Sequence, residues 1–250
     1  MNTFNNFLKK FTVLISFCMF LFCISCKKDN YTATDFKSNF SKKETLAISD
    51  LEYWSDNAKE WQITNNRIEC LVSNENRKIH LKTRQLGTKV GNLEMTVRLG
   101  FFNKNISNLN KNWAGFHIGN NNHFSKNDNI IKKKGINIGM STNGSLFIGT
   151  PSPNHKNSSV INALKNGVDL KISIANNNNT YTIDFAVLEI NSGKILSRIS
   201  KRDVAPEQII GDLALISSFE NVDLNNTNNN RSVWFKDWEI KGTKVTILNQ

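Results

Sequence analysis

Apolar residues in this chain recur at every second position. Leu93, Met95, Val97, Leu99 and Phe101 alternate with Glu94, Thr96, Arg98 and Gly100. Val168, Leu170, Ile172 and Ile174 alternate with Asp169, Lys171 and Ser173, and Tyr181, Ile183, Phe185 and Val187 with Thr182, Asp184 and Ala186. A period of two sends alternate side chains to opposite faces of an extended strand. Each segment therefore predicts a strand with one face on a core and one on solvent. The connectors carry turn chemistry: Asn65-Asn66, Asn176 to Asn179, and Asn191-Ser192-Gly193-Lys194. Asn and Gly tolerate positive φ, so these predict tight hairpin turns. About a dozen such strands with short connections predict an all-β, antiparallel sandwich. Helix-forming signal is confined to Ser159–Leu164 and Ala205–Ile209, each long enough for a turn or a short helix. In the closing segment, an unbroken period of two puts Trp234, Lys236 and Trp238 on one face.

Ahead of Leu46 the pattern is different. Lys9 and Lys10 precede an apolar run from Phe11 to Ile24, which is shorter than the roughly 20 residues a spanning helix needs. The run ends in Cys23-Ile24-Ser25-Cys26 and turns polar at Lys27-Lys28-Asp29-Asn30. This arrangement resembles a bacterial lipoprotein signal, with Cys23 standing where that family usually carries Leu. The resemblance implies cleavage before Cys26, lipidation of Cys26 and a domain tethered to the cell envelope through its N-terminal lipid. The outer membrane is favoured, with exposure to the medium as one option. The expected organisation is a signal peptide over 1–25, a flexible tether over 26–45 and one β-sandwich over 46–250.

Cysteine use and charge narrow the chemistry. Cys18, Cys23 and Cys26 lie in the signal, leaving Cys70 alone in the body. A disulfide framework and a cysteine-rich zinc site are thereby excluded from the body. Cys70 alternates with Ile68 and Val72 and reads as a buried, inert thiol. The net charge of +11 would suggest nucleic acid in a cytosolic protein. The export signal argues against that partner, and an anionic surface or acidic polysaccharide is the better match for a basic envelope protein.

Three stretches together resemble the concanavalin A-like lectin/glucanase jelly roll. They are Trp61 to Ile68, then Gly91 to Arg98 with Ala114 to Gly119, and the closing run Trp234 to Lys244 with its aromatic-x-Asp pattern. The resemblance covers about residues 46–248. It implies a concave sheet carrying a polysaccharide or glycan groove, and leaves a structural calcium ion open, with Asp128, Asp237 and Asn-rich loop carbonyls as oxygen donors. Arg67–Val72, Leu81–Leu86 and Gly91–Gly100 are also similar to the N-terminal sandwich of exported alkaline phosphatase D-type proteins. The metal-binding constellation of those phosphatases has no counterpart in the sequence, so their activity is not carried over.

No catalytic motif is legible. Retaining glycosidases set two carboxylates about 5 Å apart, and the Glu-x-Asp-x-x-Glu pattern that does so in this fold is absent. No Gly-x-Ser-x-Gly elbow occurs, and His80, His117, His123 and His155 are far apart in sequence. No metal-ligand spacing is read. What remains is the polar side of the central strands. Arg84, Glu94, Arg98 and His117 are expected to line one cleft, with Trp113 stacking on a sugar ring and the loop His123 to Lys126 as a second candidate. The expectation is a glycan-binding or accessory module, with a glycoside hydrolase of polysaccharide utilisation as the alternative.

Overall fold

The structure, a computed structural model, describes residues 35–40, 52–87, 91–102, 111–119, 135–151, 156–220, 231–242 and the backbone of 245–247. The signal with Cys26, residues 120–134 (which include His123 to Lys126 and Asp128), residues 221–230 and His155 lie outside these residues.

Fifteen strands occur among the described residues. In chain order they are β1 (Phe36–Lys37), β2 (Tyr53–Trp54), β3 (Trp61–Thr64), β4 (Arg67–Cys70), β5 (Arg77–Leu86), β6 (Leu93–Phe101), β7 (Trp113–Ile118) and β8 (Ile136–Ser141). There follow β9 (Leu146–Ile148), β10 (Val168–Asn177), β11 (Thr180–Leu188), β12 (Ile195–Val204), β13 (Gly211–Ser218), β14 (Val233–Gly242) and β15 (Val245–Ile247). Two short helices, α1 (Ser158–Ala163) and α2 (Pro206–Ile209), coincide with the two weak helical signals. The strands form two antiparallel sheets. The first runs β12-β11-β10-β6-β14-β4-β3, with β1 also on β14; the second runs β15-β5-β13-β7-β8-β9, with β2 also on β5.

The expected hairpins form where the asparagines are. Asn65 and Asn66 both take positive φ, 51° and 59°, as a two-residue turn between β3 and β4 requires. Asn178 (φ 59°) turns β10 into β11, and Gly193 (φ 65°) turns β11 into β12.

Register aligns the apolar positions into rows. In the first sheet Ile240, Met95, Ile172 and Phe185 face one another across four strands. In the second sheet Ile79, Leu215, Phe116 and Ile138 do the same. All of them are buried in one continuous core between the sheets. Cys70 lies in this core as a free thiol, and burial raises its pKa.

The alternation is broken at two places, and each break moves a side chain the sequence would place elsewhere. On β14, Lys236 faces Arg98 and Glu239 faces Thr96, so β14 carries one extra residue there. Asp237 absorbs it with a φ of 53°. The bulge sends Trp238 into the core, where it is fully buried. Trp234 stays outside beneath the Arg67 guanidinium, 5.2 Å from its ring centre. The two tryptophans therefore do not share a face. Gly100 is required beside Trp234, because a side chain there would collide with the indole. On β5, the pairing jumps from His80 to Gln85 while β13 advances only from Ala214 to Asp212. The irregularity lets both Leu81 and Leu86 reach the core.

The sandwich also begins earlier than expected. β1 pairs with β14, and Phe36 and Phe40 are buried in the core, so part of the segment expected as a tether is a strand of the first sheet.

If the β6 register is right, Val97→Asp puts an unpaired carboxylate between the sheets and costs several kcal/mol. The neighbouring Thr96→Asp places the same group on the solvent side. Thermal unfolding should show a midpoint more than about 5 °C lower for Val97→Asp and within about 2 °C of wild type for Thr96→Asp; equal shifts contradict the register.

Candidate functional site

Each sheet has one face turned away from the core, and the two faces differ in how they treat charge. On the first sheet an open cleft of about 370 Å³ is lined by Arg98, Asp169, Lys171, Asp237, Glu239 and Lys37, among others. Arg98 clasps Asp169 with two hydrogen bonds, Nε to Oδ1 at 2.8 Å and Nη2 to Oδ2 at 3.2 Å. Its third nitrogen lies 3.5 Å from Asp237. Glu94 meets Lys171 at 2.7 Å, and Lys37 meets Glu239 at 2.7 Å. Every cation lining the cleft has a carboxylate, and the pairs are partly exposed to water, which limits what each contributes to about 1 kcal/mol. This is the ordinary chemistry of a solvated sheet surface.

The outer face of the second sheet is built differently. His80 on β5, Ala214 on β13, His117 on β7 and Asn137 on β8 lie in one row across four strands. The next row carries Lys78, Ile216, Gly115, Gly139 and Phe147. Trp54 of β2 pairs with His80, and the two rings are 5.3 Å apart. Asp212 approaches from the end of β13, with Oδ2 3.7 Å from His80 Nδ1. The centre is buried: His80 and Asp212 are each 1% exposed and His117 is 5% exposed. The margin, made by Trp54, Lys78 and Asn137, is half-buried.

Burial decides the electrostatics here. Among the described residues, neither oxygen of Asp212 accepts a hydrogen bond, so the ionised carboxylate has lost water without gaining a donor. Its pKa is pushed up to about 7 by burial, against an opposing pull from Lys78. Burial also lowers the pKa of Lys78, opposed by the negative charges of Asp56 and Asp212. The hydrogen-bond pattern fixes the tautomer of His117. Nδ1 donates to Asn137 Oδ1 at 2.6 Å, which leaves Nε2 as an acceptor facing Lys78 Nζ at 3.5 Å. A buried acid and a half-buried amine with shifted proton affinities, set beside two imidazoles on one face, make this the candidate site.

No family profile matches the chain, and no curated protein matches it in sequence. Solved structures match it in shape. A lectin from Bauhinia forficata, described in complex with GalNAc, superposes with a TM-score of 0.55 at 10% identity, over 85% of this chain and 99% of the lectin. Arcelin-5, a lectin-like defence protein from Phaseolus vulgaris, superposes with a TM-score of 0.50 at 12% identity, over 86% of this chain and 99% of its own. The fold is the legume lectin-like, concanavalin A-like β-sandwich. At such identities the likeness is one of architecture and transfers no residue.

Within this lectin-like sandwich the five residues expected to share a cleft are divided. Glu94 and Arg98 stand on the first sheet; His117 and Trp113 stand on the second, facing the other way. Trp113 is 5% exposed and packs edge-on with Phe147 at 4.9 Å, with Ile216 completing a small apolar cluster. Trp54 is the indole at the site's margin. Arg84 belongs to neither face, because it meets Glu52 at 2.9 Å and lies 4.8 Å over the ring of the core residue Phe36. It braces the sandwich. Lys78, Asn137 and Asp212 were missed, although Lys78-Ile79-His80 and Asp212-Leu213-Ala214-Leu215 already show polar groups on the outward parity of apolar strands. No group of three or more His, Cys, Asp or Glu able to hold a metal occurs among the described residues. Of the donors considered for calcium, Asp237 is engaged with Arg98.

The Asp212 carboxyl has a folded pKa of about 7, above the roughly 3.9 of an unfolded Asp. The stability linked to its proton is therefore full below pH 4 and lost as the pH rises through 7. Asp212→Asn should raise the unfolding midpoint by a few °C at pH 8, with the gain vanishing at pH 4. A gain that is the same at both pH values contradicts the assignment.

Proposed function

We propose that this chain is a lipid-anchored glycan-binding module of the bacterial cell envelope that holds its ligand on the outer face of the second sheet. The observation that carries the reading is the row of buried His80 and His117 with half-buried Asn137, and the half-buried indole of Trp54 beside it. Sugars present hydroxyl groups around an apolar ring face, and imidazole and amide groups next to an indole match both parts. The Bauhinia forficata lectin, described with GalNAc, is a case of a related sandwich holding a sugar.

The hydrolase alternative is not favoured. Asp212 is the one described carboxyl with a strongly raised pKa, and no second acid hydrogen-bonds to it, whereas glycoside hydrolysis needs a working pair. The lipid anchor rests on the Ser25-Cys26 junction at the end of the apolar run.

Two experiments test the reading. On a glycan array followed by titration with the bound glycans, Trp54→Ala should weaken binding at least about tenfold with the unfolding midpoint kept, and Arg98→Ala should bind like wild type; the reverse result moves the ligand to the first sheet. In cells given a labelled fatty acid, the wild type should take the label and Cys26→Ala should not, and an unlabelled wild type removes the anchor.

A further inference from the structure

Resting on that reading, we infer that the site takes the acidic group of its glycan, a uronate carboxylate or a sulfate ester, with Lys78 as the cationic anchor and His117 and His80 beside it. The argument starts from the missing counter-ion. Lys78 is half-buried, yet among the described residues it makes no ion pair, and its amine meets only His117 Nε2 at 3.5 Å. In the cleft on the opposite sheet each cation touches a carboxylate, with Lys37, Arg98 and Lys171 all paired. The three cations of that cleft are thus neutralised within the protein, whereas the Lys78 amine faces an imidazole.

The surroundings suit an anion. An ammonium stripped of part of its water is poorly stabilised, which is why burial lowers the proton affinity of Lys78. A bound carboxylate or sulfate restores the lost stabilisation with a charge-assisted hydrogen bond. His117 adjoins the Lys78 amine. Its Nε2 is an unprotonated acceptor held in place by the Asn137 bond to Nδ1. An anion on the Lys78 amine therefore comes to lie beside an imidazole whose orientation is already set.

The competing negative charge is Asp212. The groups acting on it are Lys78 and His80 on β5, with Asp56 adding a further negative charge near Lys78. Ionised Asp212 repels an incoming anion and satisfies the lysine electrostatically, whereas protonated Asp212 does neither and can donate its O–H to the ligand. Anion binding is therefore coupled to protonation of Asp212 and strengthens as the pH falls. A chain with a net charge of +11 also draws acidic polymers to its surface before they dock.

The test uses the full chain and three probes: an oligogalacturonate, the same oligosaccharide with its carboxyl groups reduced to alcohols, and a carrageenan oligosaccharide, which carries sulfate esters and no carboxylates. At pH 5.5 at least one acidic probe should bind at least tenfold more tightly than the neutral one, and preference between the first and third tells uronate from sulfate. Lys78→Met should bring the acidic probes to within about twofold of the neutral one, while Lys78→Arg keeps the preference. Between pH 7 and 8 wild-type affinity should fall by close to tenfold, and Asp212→Asn should hold it level. A neutral probe that binds as tightly as the acidic ones, or an acidic preference unchanged in Lys78→Met, overturns the inference and leaves the glycan-binding reading standing. If no probe binds and the array is blank, both fall.

Discussion

Parity along the strand is the constraint on which both the core and the site depend. In a two-layer sandwich each strand has one side for the core and one for the outside, and a shift of one residue exchanges them. β6 and β10 keep strict alternation, and their apolar rows meet those of β5, β7, β8 and β13 across the interior. Where function or packing needs a different side chain, the fold inserts residues rather than breaking the pairing. Asp237 takes up one on β14 and swings Trp238 into the core. The irregularity on β5 separates His80, which faces out, from Arg84, which braces the edge over Phe36.

On the face that parity leaves outside the second sheet, the protein does something costly. A carboxyl 1% exposed, 3.7 Å from an imidazole and without a hydrogen-bond donor among the described residues, destabilises the fold whenever it is ionised. An apolar residue on the outward parity of β13, as Ile216 already is, would avoid that cost. Functional sites are where such strain is kept. The charged face of the first sheet offers the comparison within one molecule. In the cleft there, Lys37, Arg98 and Lys171 each meet a carboxylate in partly exposed pairs.

Much of this was legible in the sequence because it is local. Alternation needs only the order of residues, and the paired positive φ values at Asn65 and Asn66 are written in their residue type. The division of the candidate residues was not legible, because it is a property of sheet membership. Arg84, Glu94 and His117 come from three consecutive long strands, yet β6 belongs to one sheet while β5 and β7 belong to the other. Consecutive strands that alternate between layers defeat the assumption that neighbours in sequence share a face. Phe36 falls in the segment read as a tether for a related reason: its partner strand, β14, lies about two hundred residues away along the chain.

The central claim is that the ligand meets the imidazole row of the second sheet and not the charged cleft of the first. Nitrogen-15 spectra of the labelled full chain, recorded while an acidic oligosaccharide is titrated in, read both places at once. The account predicts that the ring resonances of His80 and His117 shift progressively to saturation while the Arg98 Nε–H signal stays in place. Movement of the Arg98 signal with both imidazoles unchanged would contradict it.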